Sequence, residues 1–258
     1  MSAIDYFKQA PPISRTIAAS AFTLSVLVYT NFLSAYWVLF WPSAFLQLPP
    51  QIWRLVTPFL LTGPQLGIIF DTYFLYTYGA KLERASPKFT QPGEFFMYIV
   101  FVCTTIIGLN MVLTGTTVFT AALVLAFTYT SCQDDRGQMA TFFVVTIPAQ
   151  WIPFAMILLT FILNGPTAAL ISITGLVAAH LHDFLTRLWP TFGGGRNWVP
   201  TPAFVRRWFE TKTDTVTHKP YGTAFARAQS GPSASGSSSG PLPESWKSRG
   251  SGHRLGGS

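Results

Sequence analysis

The placement of lysine and arginine constrains this chain more than any other feature. Between Ile13 and Trp189 they are few, and all but Arg54 fall in every second gap between apolar stretches. That is the charge map of a chain that crosses a membrane several times and keeps its cations on one side. Charged residues make up only 10% of the sequence and aromatic residues 16%. A soluble globule carries about 25% charged residues, so lipid must solvate this body.

The net charge of +7 would suit nucleic acid, but Arg187, Arg196, Arg206, Arg207, Lys212, Lys219, Arg227, Lys247, Arg249 and Arg254 all gather at and beyond the end of the last apolar stretch. A basic juxtamembrane tail facing anionic lipid explains them better, and no nucleic-acid partner is expected. Cys103 lies inside an apolar stretch and Cys132 at the end of one, which argues against a disulfide framework. The N-terminus lacks the cationic start and small-residue cleavage site of a signal peptide, so the first apolar stretch is expected to remain in the mature protein.

Apolar stretches run at roughly 14–36, 57–80, 94–113, 116–132, 142–163 and 167–189, each near the roughly 20 residues that a helix needs to cross a bilayer. Six spans put both termini on one side. The positive-inside rule places Lys8, Arg15, Lys81, Arg84, Lys88, Arg136 and the tail in the cytosol, with Arg54 the exception. The expected organisation is a cytosolic segment 1–13, an all-α six-span bundle 14–189, a juxtamembrane segment 190–210, a tether 211–245 and a terminal motif 246–258. Residues 37–56 are apolar but broken by prolines, which reads as a lumenal loop lying in the interface rather than a span. Pro58, Pro64, Pro148 and Pro153 predict kinks or late helix starts. The tether, with Gly-Pro-Ser-Ala-Ser-Gly-Ser-Ser-Ser-Gly at 231–240, cannot bury enough apolar area to offset its ordering entropy. No internal repeat is visible, which disfavours an inverted-repeat transporter.

Several residues could carry chemistry. Trp53-Arg54 sets a cation and an indole before the second stretch, where an aromatic-belt residue and a snorkelling arginine are the ordinary explanation. Further on come Phe70-Asp71 through Gly79 with Leu82-Glu83, then Gly175-Leu-Val-Ala-Ala179-His180-Leu-His182-Asp183, Trp189-Pro190, Gly193-Gly-Gly195 and Thr201-Pro202. In order and spacing this series resembles the derlin family, rhomboid-like pseudoproteases of the endoplasmic reticulum membrane, from the N-terminal helix to about Phe209. The resemblance implies a rhomboid-like six-span bundle, a lumenal-loop Trp-Arg pair at Trp53 and Arg54 for anchoring and substrate contact, and a small-residue packing motif in the sixth span. The family's second glycine is Ala179 here, paired with Gly175, and the spacing still allows close helix approach.

The resemblance also frames the question of catalysis. A rhomboid protease needs a serine in Gly-x-Ser-Gly, a histidine base and side-chain oxyanion donors. Here the serine position falls near Thr117 or Val118, the base position on Ser172, and the oxyanion positions on Gly67 and Asp71. No catalytic residue, metal or cofactor is therefore expected. His180 and His182 are two apart and point to opposite sides of a helix, poor geometry for one metal. His180 is expected to pack inside the bundle with a hydrogen-bond partner, and Asp183 to pair with Arg187. Asp71, an ionisable group within a span, is expected to face a wet cavity or a partner.

The last segment resembles the SHP box through which some derlins recruit a hexameric AAA unfoldase, with Trp246, Gly250, Gly252, Arg254, Leu255 and Gly256 at the matching positions. An aromatic and a leucine can fill pockets while glycines let the backbone lie close to a receptor. The roughly 35 tether residues reach roughly 30–35 Å, enough to clear the headgroups. The implied function is non-catalytic assistance to retrotranslocation in endoplasmic-reticulum-associated degradation. Its implied partners are an unfoldase of the valosin-containing-protein type, a ubiquitin ligase complex, misfolded proteins and membrane lipid. An intramembrane protease using Thr117, and a transporter or channel using Asp71, are the rivals.

Overall fold

The computed structural model describes residues 10–45, 51–142, 145–193, 195 and 199–209. Lys8, the tether and the terminal motif with Trp246, Gly250, Gly252, Arg254, Leu255 and Gly256 lie outside the described residues, as do 46–50 of the aromatic loop. The fold is an all-α multi-span bundle: α1 Pro12–Tyr29, α2 Leu66–Ala85, α3 Glu94–Leu113, α4 Thr120–Asp134, α5 Ala149–Ile162, α6 Asn164–Phe192 and a short α7 Ala203–Phe209. A two-stranded antiparallel hairpin, β1 Met139–Phe142 and β2 Val145–Pro148, joins α4 to α5. The helical run through α5 and α6 breaks at Gly165, whose φ of 84° and ψ of 179° lie outside any helix and precede Pro166. Only glycine adopts such a backbone cheaply.

Several sequence-derived boundaries move. The first span stops at Tyr29 rather than at 36, and the second begins at Leu66 rather than at 57. Between them the chain makes 3-10 turns, among them Ala35–Trp37, Ile52–Leu55 and Thr57–Phe59. Pro58 and Pro64 account for the late start, since neither can donate a helical hydrogen bond. The fifth stretch starts as a strand, because Val145, Thr146 and Ile147 are β-branched and pair with Phe142, Thr141 and Ala140. Hydropathy reports burial and not conformation, so it merged the hairpin with the helix that follows.

Among the described residues, α1, α3 and α6 are long and apolar enough to cross a membrane by length and composition. Helix α2 has the length but carries Asp71, Lys81, Glu83 and Arg84. Helix α4 has 15 residues, about 22 Å at 1.5 Å per residue, well short of a roughly 30 Å hydrocarbon core. It compensates by lying at the centre, with Thr120, Ala122–Thr128 and Thr130–Cys132 all buried by the other helices.

Lipid is as apolar as leucine, so close packing and internal hydrogen bonds must hold such a bundle together. Glu83 of α2 caps α1: its Oε1 accepts from the Ile13 amide at 3.0 Å, and its Oε2 from the Ser14 amide at 2.8 Å and the Ser14 hydroxyl at 2.7 Å. Those amides would otherwise be orphan donors at a helix N-terminus, where a carboxylate also meets the favourable end of the dipole. Tyr98 of α3 donates to the Ala126 carbonyl of α4 at 3.0 Å and lies 2.7 Å from the Thr130 hydroxyl. Asn110 of α3 donates to the Thr174 hydroxyl of α6 at 3.0 Å, and its Oδ1 accepts from Thr114 and Thr116. At the charged end, the buried Lys88 lies 3.3 Å from Asp134 and 3.7 Å from Asp183, which ties the α2–α3 turn to the ends of α4 and α6.

Candidate functional site

The turn that delivers the chain into α2 builds the site. Thr62 is pinned by Ser25 of α1, whose hydroxyl accepts from the Thr62 amide at 2.9 Å, and the Thr62 carbonyl accepts from Tyr29 at 2.7 Å. Gly63 and Pro64 follow, and Gln65 takes a left-handed φ of 53° before the helix starts at Leu66. One and a half turns later Asp71 reaches back, and its Oδ2 accepts the Gly63 amide at 2.9 Å.

Asp71 lines a cavity of about 610 Å3. Its walls come from the Gly63–Gln65 turn, from Phe70 and Phe74 of α2, from Val124 and Leu125 of α4, from Phe142 of the hairpin, and from Met156 and Leu159 of α5. Thr160, Asn164 and Ser172 add polar groups to this otherwise apolar surface. Helix α2 packs on α1 and α4, while the α5–α6 run packs on α3 and α4; α2 and α5 share no packed seam. The cavity occupies that gap. Phe142 stacks on Phe74 with ring centroids 6.3 Å apart, so the hairpin forms one wall.

The residues that would hold a protease's machinery stand as follows. Ser172 is buried, and its hydroxyl donates to the Ala168 carbonyl at 3.0 Å within its own helix. Thr117 is not among the cavity-lining residues; its carbonyl accepts the Phe40 amide at 3.0 Å and so joins the α3–α4 loop to the aromatic loop. Gly67 and Asp71 both reach the cavity.

Arg54 sits differently from the expected snorkelling side chain. It is wholly buried, its Nη1 donates to the Tyr36 and Leu39 carbonyls at 2.7 Å each, and its Nε donates to Gln51. The guanidinium also lies 4.9 Å from the Tyr36 ring centroid, within cation–π range. A cation gathering carbonyls from a non-helical loop satisfies backbone that has no ladder of its own. Arg54 thus joins Tyr36, Leu39 and Gln51 of the aromatic loop from a buried position. Trp53 is 45% exposed, with its indole donating to the Trp37 carbonyl at 3.3 Å.

Gly175 and Ala179 lie on the α6 face that meets α4. A Cβ on Gly175 would collide with the backbone carbonyl of Ala122, and Ala122, Ala126, Ala178 and Ala179 are all buried. His180 keeps a partner, its Nδ1 3.0 Å from the Tyr129 hydroxyl, but it lies at the surface and not inside the bundle. His182 is the inward ring, edge-on to Tyr98 at 4.9 Å and near Phe101 at 5.3 Å. The two-residue difference in helical phase explains the exchange, because residues two apart on a helix face nearly opposite sides. Asp183 lies 3.5 Å from Arg187 and also faces Lys88.

Sequence reasoning did not single out Asn110, Lys88, Thr160 or Asn164. Asn110 and Lys88 carried a signal, a polar group near the end of an apolar stretch and a cation in a short turn. Thr160 and Asn164 become informative only when the gap between α2 and α5 is known.

Comparison with known proteins is consistent across the helical body. The model of the Der1-like family matches residues 10–203. The human protein Derlin-1 is 27% identical over 219 residues, covering 82% of this chain and 84% of its own length. Mouse Derlin-1 is 28% identical over 222 residues with the same coverage. Arabidopsis thaliana Derlin-1 is 26% identical over 206 residues, 79% of this chain and 76% of that protein.

Proposed function

The chain belongs to the Der1-like family, and from that premise we propose that it assists misfolded proteins out of the endoplasmic reticulum for degradation, without cleaving them. The observation that carries this reading is the cavity between α2 and α5, which is largely apolar, lacks a packed seam on one side and holds the carboxylate of Asp71; the resemblance to rhomboid proteases puts that residue at an oxyanion position. An anionic group there opposes a developing negative charge, and the Ser172 hydroxyl is no general base near neutral pH.

The mechanism is physical. Helix α5, Ala149–Ile162, is shorter than the hydrocarbon core and exposes Phe154, Leu158 and Phe161, α5 and α6 meet at a break, and the segment before α2 is not α-helical. A bundle of this kind thins the bilayer around it, because lipid adapts to short hydrophobic lengths. Thinning, together with polar groups in the gap, lowers the cost of moving polar segments through the membrane. Exposed Trp37, Trp41 and Trp53 hold the aromatic loop at the interface. Both termini face the cytosol, where the motif around Trp246, Arg254 and Leu255 recruits a AAA unfoldase of the valosin-containing-protein type, and a ubiquitin ligase complex marks the emerging client.

Two experiments test this. Purified chain incubated with helix-destabilised transmembrane substrates yields no cleavage; cleavage that disappears in Thr117→Ala overturns the reading. In cells, Leu255→Ala abolishes co-purification of the unfoldase and slows client turnover, whereas unchanged recovery removes the terminal motif from the mechanism.

A further inference from the structure

Asp71 begins the second turn of α2, about 7 Å along the helix from Leu66 at 1.5 Å per residue. Its side-chain hydrogen bond among the described residues is the Gly63 amide on Oδ2. Ion pairs join Lys81 to Asp135, Lys88 to Asp134 and Asp183, and Arg187 to Asp183 at the opposite, charged end, and none of these includes Asp71. Asp71 thus lines the cavity with no cation paired to it among the described residues, in a wall that also holds Phe70 and Phe74 of its own helix and Thr160 and Asn164 of the α5–α6 run.

A carboxylate among apolar walls with one backbone donor is poorly compensated, and its attraction for a cation is far stronger there than in water. The occupant that suits this place is mostly apolar, arrives from the membrane through the gap between α2 and α5, and carries a positive charge. A lysine or arginine within a transmembrane segment meets each condition, since the bilayer penalises that residue and such segments are apolar elsewhere. We propose that Asp71 is a specificity residue: its carboxylate receives the lysine or arginine of a membrane-embedded client segment that enters the cavity between α2 and α5. This deepens the function proposed above and rests on it. A client segment with a misplaced basic residue then leaves lipid for a counter-ion, while Thr160 and Asn164 offer hydrogen bonds to its remaining polar groups. Segments that are apolar throughout gain nothing from Asp71 and stay in the bilayer.

The test uses the full chain in phosphatidylcholine nanodiscs, with a photoreactive methionine analogue at the cavity-lining Met156. The probes are two transmembrane peptides of about 20 residues, identical but for one lysine or one leucine at the depth of Asp71. The lysine peptide is expected to crosslink about tenfold more than the leucine peptide, a ratio worth 1.4 kcal/mol. Asp71→Asn, which keeps an acceptor for the Gly63 amide, is expected to reduce the lysine peptide to the leucine level, and Asp71→Glu to restore part of the preference. A preference that survives Asp71→Asn, or equal yields with the unaltered chain, overturns the role of Asp71 and leaves client entry standing. Crosslinking of neither peptide overturns client entry at this cavity as well.

Discussion

The two sides of α4 differ as a closed seam differs from an open one. Toward α6, Gly175 and the alanines Ala122, Ala126, Ala178 and Ala179 let the backbones approach so closely that no further methyl fits. Toward the gap between α2 and α5, Val124 and Leu125 look onto about 610 Å3 of space and a carboxylate. The same helix is thus locked on one face and borders a cavity on another. The lesson is that stability and function draw on different faces: changes on the closed side should cost folding, and changes on the open side should cost activity alone.

The largest expected effect is on the closed side. Gly175→Val forces a branched Cβ into the Ala122 carbonyl, a backbone group that cannot swing aside. The helices must separate, and the loss should exceed about 3 kcal/mol, the upper end of the usual overpacking cost. Thermal unfolding in detergent should show a large fall in midpoint or no folded material at all. A Gly175→Val protein of unchanged stability would break the distinction between the two faces at its root.

Arg54→Ala comes next and extends the comparison to the aromatic loop. Removal of the guanidinium breaks its hydrogen bonds to the Tyr36 and Leu39 carbonyls and to Gln51. Hydrogen bonds from a charged group contribute about 1.5–3 kcal/mol, so a loss of about 2–3 kcal/mol is expected. Trp53→Ala, one residue away and half exposed, should cost less than about 1 kcal/mol. If Trp53→Ala nevertheless slows client turnover as much as Arg54→Ala, the indole acts on clients and the arginine on the loop. Equal unfolding midpoints for the two variants would contradict the anchoring role.

The break at Gly165 lies between Met156, Leu159 and Thr160 of the cavity wall and Gly175 of the seam. A Cβ there meets nothing within 4 Å, so the cost of Gly165→Ala is purely conformational. At φ 84° and ψ 179° that cost is about 1–3 kcal/mol. Detergent unfolding measures it directly. A neutral substitution would mean that α5 and α6 can join as one helix.

Much of this contrast was legible in the sequence, but unevenly. Charge placement and hydropathy report which segments lipid solvates, and they located the helices that became α1, α3 and α6. The same signal misplaced the start of α2 and the hairpin, since an apolar run specifies burial but leaves open whether the backbone coils, turns or pairs. Gly175 was readable as a packing residue because small residues four apart have one steric consequence. Asp71 was readable as an anomaly, a charge inside an apolar stretch, while the wall opposite it was not: Thr160 and Asn164 look unremarkable until tertiary structure faces them with Asp71. The burial of Arg54 was not legible, for the converse reason. Its sequence neighbours are those of an interfacial arginine, and only the fold of the loop turns Tyr36 and Leu39 carbonyls toward it.

The smallest expected effect on stability is the sharpest test of the contrast. Asp71→Asn keeps an oxygen to accept the Gly63 amide at the same place and removes only the charge. Because no ion pair of the described residues includes Asp71, removing the charge breaks no attraction and relieves the burial of an ion. The unfolding midpoint in detergent should therefore stay within about 0.5 kcal/mol of the unaltered chain, or rise slightly. Turnover of clients with a basic residue in their membrane segment should nevertheless slow, while turnover of clients without one stays the same. A fall of several kcal/mol would place Asp71 in the architecture alongside Gly175, and the open face of α4 would then be as structural as the closed one.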